Sequence, residues 1–284
     1  MGIVNVTPDS FSDGGLFDDQ EAAIAHGISL VNAGADIVDV GGESTRPGAY
    51  PITIAQELYR VTPVIEALVN AGCTVSIDTM HAEVAAKTIE LGATIVNDVS
   101  GGLVDPAIIE VIAQNPQITY IASHYRAPAG TPDTHLNPLP EVVAEIADRR
   151  DAILNSGVKP EQLILDPGLG FAKNTRTNWA ILRGLDQIIN LGFPVLVGAS
   201  RKRFLKELLV SLGSAAASLP LAPQNDWLLG APQNAVLNAE LDKATAAVSA
   251  LAAAAGVWGV RVHNVADNRE AVAAGQIWRA KAGR

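Results

Sequence analysis

The feature that most constrains this chain is a repeated unit: a short β-branched run that ends on a polar residue, followed by a segment with helical spacing. Gly2-Ile3-Val4 stops at Asn5, Ile37-Val38 at Asp39, Val75-Ser76-Ile77 at Asp78, Thr94-Ile95-Val96 at Asn97 and Leu163-Ile164-Leu165 at Asp166. Val195-Leu196-Val197 leads into Ser200-Arg201-Lys202, and Val260-Arg261-Val262 into His263-Asn264. With residues 119–123 as the fifth strand, the pattern predicts eight strands, each followed by a helix. Strands joined through helices run parallel with right-handed crossovers. A doubly wound open sheet shares this alternation, but eight units with polar endings on nearly every strand predict closure into a single (β/α)8 TIM barrel. In that architecture the strand ends converge on one mouth, where the chemistry is done.

The helical segments are expected at 21–33, 54–70, 81–91, 106–113, 140–155, 177–190, 241–255 and 268–280. Gly72, Gly92, Gly157, Gly192 and Gly256 stand where a helix closes through a left-handed residue. No linker divides the chain, so residues 1–284 read as one domain. The irregular tract is 213–240, where Pro220, Pro223 and Pro232 discourage a continuous helix. It is expected to project as a loop or short irregular helix with no direct part in catalysis, Trp227-Leu228-Leu229 being a small apolar cluster that could dock.

Composition excludes several classes of function. A formal net charge of −10 argues against nucleic acid or an anionic membrane as partner. Any anionic substrate must then be held by a local basic cluster. Cys73 is the sole cysteine, which rules out an internal disulfide and a multi-thiolate metal site and points to a reducing cytoplasm. No stretch has the length and apolarity of a membrane span, and the N-terminus lacks the form of a signal peptide.

The loops after the strands carry a more specific signal. Asn5-Val6-Thr7-Pro8-Asp9-Ser10-Phe11-Ser12-Asp13-Gly14-Gly15 and Gly42-Glu43-Ser44-Thr45-Arg46-Pro47-Gly48 resemble the first two loops of the dihydropteroate synthases. Ser76-Ile77-Asp78-Thr79, Val96-Asn97-Asp98-Val99-Ser100-Gly101-Gly102, Asp166-Pro167-Gly168-Leu169-Gly170-Phe171, Ser200-Arg201-Lys202 and Arg261-Val262-His263 match that family's remaining signatures in order. The resemblance spans nearly the whole chain apart from 213–240. It implies condensation of 6-hydroxymethyl-7,8-dihydropterin diphosphate with p-aminobenzoate, giving 7,8-dihydropteroate and pyrophosphate in folate synthesis. It also implies competition by sulfonamides and a homodimer built through outer helices near the C-terminal half.

A pterin offers a flat edge with adjacent N–H donors, which a buried carboxylate accepts in a paired contact, and Asp166 is the expected partner. Asn97 has both a donor and an acceptor for the same ring. By resemblance, Asp78 and Asn97 hold its other side and Lys202 reaches the carbonyl and N5 region, which makes Asp78, Asp166 and Lys202 the catalytic residues. An Asp after a strand also serves as a helix N-cap, and Lys202 also fits a solvated basic run with Arg201 and Arg203. Arg261 and His263, two apart on a strand, share a face. By resemblance both contact the diphosphate, and Asn5 gives an oxygen ligand to Mg²⁺, an ion that prefers oxygen donors. Thr7, Pro8, Phe11, Thr45, Arg46 and Pro47 would shape the p-aminobenzoate pocket with Phe171 and Arg203, although loop packing also accounts for Phe11.

The resemblance further implies that the bond to pyrophosphate is largely lost before the amine attacks, with Asp78 and Asp166 stabilising the pterin cation. Three features depart from the family. The first strand begins almost at Met1, which could leave it frayed. Asn264 replaces an aspartate, which could alter the orientation of His263 or Arg261, and Arg203 replaces a small hydroxyl residue. A pterin-binding domain of a corrinoid methyltransferase and a non-catalytic pterin-binding paralogue share the carboxylate-lined site. His124 lies near the mouth without a role, and His26, His81 and His135 read as surface or loop residues.

Overall fold

The β-branched runs form the strands that their composition predicts. The structure, a computed structural model, describes residues 1–6, 16–44, 50–218 and 235–280. Its strands are β1 Gly2–Asn5, β2 Val38–Gly41, β3 Val75–Asp78, β4 Ile95–Asp98, β5 Thr119–Ser123, β6 Leu163–Asp166, β7 Leu196–Val197 and β8 Gly259–Val260. Parallel pairing runs in chain order from β1 to β6, and β7 pairs with β8. Two parallel bridges, Leu165 with Val195 and Gly2 with Val262, join these sheets into a closed ring. β1 is therefore paired on both sides and not frayed, with the Met1 amine donating to Val260 O at 3.0 Å.

Around the ring stand α1 Leu16–Asn32, α2 Ile54–Asn70, α3 Ala82–Glu90, α4 Ala107–Gln114, α5 Pro138–Asn155, α6 Thr175–Arg183, α7 Leu185–Ile189, α8 Arg203–Ser211, α9 Ala215–Ser218, α10 Ala235–Ala255 and α11 Val265–Ala280. Thr53 begins α2 with a full capping box, its hydroxyl accepting from Gln56 N at 3.2 Å. All five predicted closing glycines have positive φ, between 80° at Gly72 and 102° at Gly92. The helix expected over 177–190 is instead two, α6 and α7, broken at Gly184. A Cβ at Gly184 would lie 2.1 Å from Leu139 Cδ2, so close packing against α5 selects a glycine that also ends α6. α10 starts at Ala235 and α9 occupies 215–218, so both ends of the tract at 213–240 are helical. Its centre, including Trp227-Leu228-Leu229, lies outside the described residues.

Side chains alternate along each strand, so every strand sends one set inward and one outward. The outward set, including Val38, Val40, Val75, Ile77, Val96 and Leu165, packs with the helices into the main core. A second, small cluster of Ile95, Ile121, Ile164 and Leu196, with Met1 and Ile37 against it, belongs to the inward set. Asp39, Asn97 and Asp166 come two residues after Ile37, Ile95 and Ile164, so the polar groups stack on an apolar plug inside the barrel. The plug excludes water from below and fixes the depth of the site.

Asp98 belongs to the outward set. It is fully buried and accepts from Ser100 N at 2.7 Å, Ser100 Oγ at 2.7 Å, Gly102 N at 2.6 Å and Tyr120 Oη at 2.8 Å. This carboxylate therefore ties the turn after β4 and leaves ligand contacts to Asn97. Tyr120→Phe removes one donor from a buried anion and should lower stability by about 1.5–3 kcal/mol. Urea unfolding measures this, and an unchanged midpoint would show that the bond contributes nothing.

Candidate active site

The barrel mouth opens into a cavity of about 640 Å³ lined by Asn5, Asp78, Phe171, Lys202, Arg203, Arg261 and His263, among others. Asn97 and Asp166 lie buried, 2% and 7% exposed. Gly198, two residues beyond Leu196, leaves room at the centre. A Cβ there would lie 3.8 Å from Asp166 Oδ2, 3.9 Å from Lys202 Nζ and 4.0 Å from Arg261 Cβ. The structure thus brings Asp166, Lys202 and Arg261 around one point, as the strand endings suggested.

Arg261 organises the charges. Its Nε donates to Asp39 Oδ2 at 2.5 Å and its Nη2 to Asp78 Oδ2 at 2.6 Å. Asp39 also accepts from Asn97 Nδ2 at 3.0 Å. Burial pushes the Asp78 carboxyl up to about 7, with Arg261 opposing and Asp39 adding to the rise. Burial also works against the charge of Arg261, but Asp39 and Asp78 outweigh it and raise its pKa. Asp78 is thus committed to Arg261 and does not cap α3, whose preceding residue is His81.

The basic run splits three ways. Arg201, at φ 55°, occupies the left-handed region that non-glycine residues rarely enter. Its guanidinium pairs with Asp242 through Nε and Nη2, both at 2.8 Å. Lys202 turns into the cavity, donates to Leu169 O and sits 5.1 Å from the Phe171 ring centroid. Burial lowers Lys202 to about 8, Asp166 acting in the opposite direction. Burial likewise raises Asp166, which Lys202 counters, and Asp166 Oδ1 accepts from Gly168 N at 2.7 Å. Arg203 points outward beside Glu207 at 3.4 Å while remaining on the cavity rim.

His263 Nδ1 lies 2.9 Å from Ser200 Oγ, which also accepts from His263 N at 3.1 Å. Ser200 therefore orients the ring. Asn264 instead serves α11: its Oδ1 accepts from Asp267 N at 3.2 Å and its Nδ2 donates to Asp267 at 2.9 Å. Ser200, and not Asn264, contacts the His263 ring. Asn5 lines the cavity, and no hydrogen bond to its side-chain amide occurs among the described residues. Thr7, Pro8, Phe11, Thr45, Arg46 and Pro47 lie outside the described residues.

Sequence reasoning gave no role to Asp39, although its strand-end position marked it, or to Lys173. The Lys173 ammonium donates to Gly168 O at 2.8 Å and Phe171 O at 3.1 Å, so it pins the loop carrying Phe171. Nothing in the sequence sets that lysine apart from a solvated one. His135 also differs from the expectation: its loop is on the surface, but its imidazole is completely buried against Asp133 and His124. His81 is held by Glu57 at 2.7 Å.

Residues 1–263 match the family model described as pterin binding enzyme. A dihydropteroate synthase of Mycobacterium leprae is 42% identical, over 98% of this chain and 92% of the relative. A Xanthomonas albilineans dihydropteroate synthase solved with 4-aminobenzoic acid superposes with a TM-score of 0.83 at 36% identity, covering 100% of this chain and 93% of the other. A Yersinia pestis dihydropteroate synthase in a sulfonamide drug complex gives 0.80 at 30% identity, with coverage of 99% and 93%. The chain therefore belongs to the pterin-binding enzyme family, in the branch of the dihydropteroate synthases.

A pH dependence follows from Lys202. Its folded pKa of about 8 lies below the ordinary 10.5, so between these values the folded state holds fewer protons than the unfolded state. Stability rises with pH wherever the unfolded state binds more protons. From pH 7 to 9.5 the native protein should therefore gain stability relative to Lys202→Met, as read by urea unfolding. A constant difference would mean that Lys202 titrates as an exposed lysine.

Proposed function

We propose that the residues at this mouth divide the dihydropteroate synthase reaction into pterin recognition, diphosphate release and amine attack. The observation that carries the reading is the convergence of Asp78, Asp166, Lys202 and Arg261 on one cavity above the plug. Asp166 accepts the paired N–H donors of the pterin edge, and Asn97 serves the adjoining positions. Lys202 donates to the ring carbonyl and N5 region. Phe171 and Arg203 border the entrance, where p-aminobenzoate and the sulfonamides that mimic it would lie.

Arg261 and His263 receive the diphosphate, and Asn5 has the oxygen donor that Mg²⁺ prefers. Asn5 would hold the ion, whose chemistry there would be charge neutralisation at the diphosphate. The pterin methylene C–O bond breaks, its electron pair leaving with pyrophosphate, and the positive charge spreads into the electron-rich ring. Asp78 and Asp166 stabilise that charge electrostatically. The p-aminobenzoate nitrogen then forms the C–N bond and releases a proton. No strong base is required, because the aryl amine already carries a free lone pair at neutral pH.

A cytoplasmic setting fits the lone Cys73, and no helix among the described residues is long and apolar enough to cross a membrane. A homodimer through the outer C-terminal helices is supported by Leu251, Ile277 and Trp278, which are 69%, 64% and 78% exposed on α10 and α11. Size-exclusion chromatography at micromolar concentration distinguishes monomer from dimer.

A coupled pyrophosphate-release assay tests the reaction itself. Release should require both p-aminobenzoate and Mg²⁺, while binding of pterin without turnover would support a non-catalytic paralogue. Asp166→Asn should weaken pterin binding by about 1.5–3 kcal/mol in calorimetry, the range for a hydrogen bond to a charged group. His263→Ala should impair turnover of the diphosphate substrate far more than binding of bare hydroxymethylpterin. Equal losses for the two ligands would make His263 structural. Arg261→Ala is a poorer probe, since it also strands Asp39 and Asp78.

A further inference from the structure

A second cluster lies at the end of β5, outside the groups assigned to the reaction. His124 follows β5, His135 lies on the loop before α5 and Glu145 belongs to α5. One ligand-capable atom of each lies within 4.8 Å of the other two. His124 Nε2 is 2.7 Å from Glu145 Oε2, and the two imidazole centroids are 5.9 Å apart. Both rings are buried, with side chains 3% and 0% exposed. His124 Nδ1 and His135 Nε2 have no hydrogen-bond partner among the described residues. An unpaired buried polar atom is costly, and His135 Nε2, aimed into this cluster, points to a ligand.

The surrounding groups hold the cluster as outer-shell groups hold metal ligands. His135 Nδ1 lies 2.5 Å from Asp133 Oδ1, and Asp133 is fixed in turn by His135 N and Asn174 N, both at 2.9 Å. Donation from Nδ1–H to a carboxylate selects the tautomer whose lone pair is on Nε2. Arg126 Nε holds the two Glu145 oxygens at 3.1 and 2.9 Å, and its Nη2 donates to Glu141 at 2.8 Å. Glu141 and Glu145 face the Arg126 guanidinium and Asp133 holds His135, with Lys173 the other nearby cation, 3.5 Å from His124 O. The carboxylates outnumber the cations, which favours a positive ligand.

We propose that His124, His135 and Glu145 bind one divalent transition-metal ion, best matched by Zn²⁺, which clamps the end of β5 and its loop to α5. Two imidazoles and a carboxylate suit Zn²⁺, whereas Mg²⁺ prefers oxygen ligands throughout. Tetrahedral ligands at ~2.0–2.1 Å from Zn²⁺ lie roughly 3.3–3.5 Å apart, so small side-chain rotations close the cluster. The His124 ring proton moves to Nδ1 as Nε2 takes the ion, and no oxidation or reduction is involved. Water completes the coordination. Because Asp133 and the preceding loop residues line the main cavity, the ion would stiffen one wall of it.

The test uses the full chain stripped with a chelator and titrated calorimetrically with Zn²⁺ in millimolar Mg²⁺. One equivalent should bind with a submicromolar dissociation constant and raise the melting temperature. His135→Gln should weaken binding at least tenfold, and Asp133→Asn should do so by about ten- to hundredfold through loss of the outer-shell bond. Should His135→Gln fail to fold, Asp133→Asn and the visible bands of Co²⁺ bound to the native chain carry the same test, tetrahedral nitrogen-oxygen coordination being expected. His81→Gln should have no effect. No saturable binding below about 100 μM, native affinity in His135→Gln or Asp133→Asn, or loss only in His81→Gln would overturn the proposal. The last result would put the ion at Glu43, Glu57 and His81, which also approach within 4.8 Å of one another.

Discussion

The barrel interior depends on one guanidinium. Asp39 lies within β2 and Asp78 closes β3, both at inward positions, so they point into the same confined space, where two carboxylates repel. Arg261 enters from β8, on the opposite side of the barrel closure, and bonds to both. An unpaired buried charge costs several kcal/mol, so removing the arginine leaves two uncompensated anions, whereas removing one aspartate leaves the other pair intact. The same residue is the expected contact for the diphosphate. On the proposed reading, substrate recognition and the integrity of the site rest on the same side chain.

Beneath the charges, the plug of Ile95, Ile121, Ile164 and Leu196 turns period-two alternation into a depth gauge. It closes the bottom of the barrel and leaves open space at Gly198, between Asp166, Lys202 and Arg261. Above it, the supporting contacts come from a hydroxyl, a backbone amide and a buried lysine: Ser200 orients His263, Gly168 N holds Asp166 and Lys173 ties the Phe171 loop. Electrostatic preorganisation of this kind is effective in catalysis because the dipoles need not rearrange as charge develops.

Much of this was legible from residue order. β-branched runs, closing glycines and polar strand ends predict eight parallel units, and the ring closes as eight units require. What escaped prediction depends on tertiary contact. The break at Gly184 comes from Leu139 on another helix, and the burial of His135 comes from Asp133 and His124. Asp39 resembles any strand-end aspartate until Arg261 reaches it from 222 residues away. Lys202 could be distinguished from Arg201 and Arg203 only through the family motif, because the separation arises from the left-handed turn at Arg201. Asn264 stood out in the sequence only as a departure from the family's aspartate beside His263, and its bonds are those of a helix cap.

A double-mutant cycle between Asp39→Asn and Arg261→Gln, read by urea unfolding, tests the central ion pair most directly. Residues in contact within one network show interaction energies of about 0.5–3 kcal/mol. A coupling above roughly 1 kcal/mol is the predicted result, with each single variant less stable than the native chain. Additivity within about 0.3–0.5 kcal/mol would mean that Arg261 does not hold the barrel interior together.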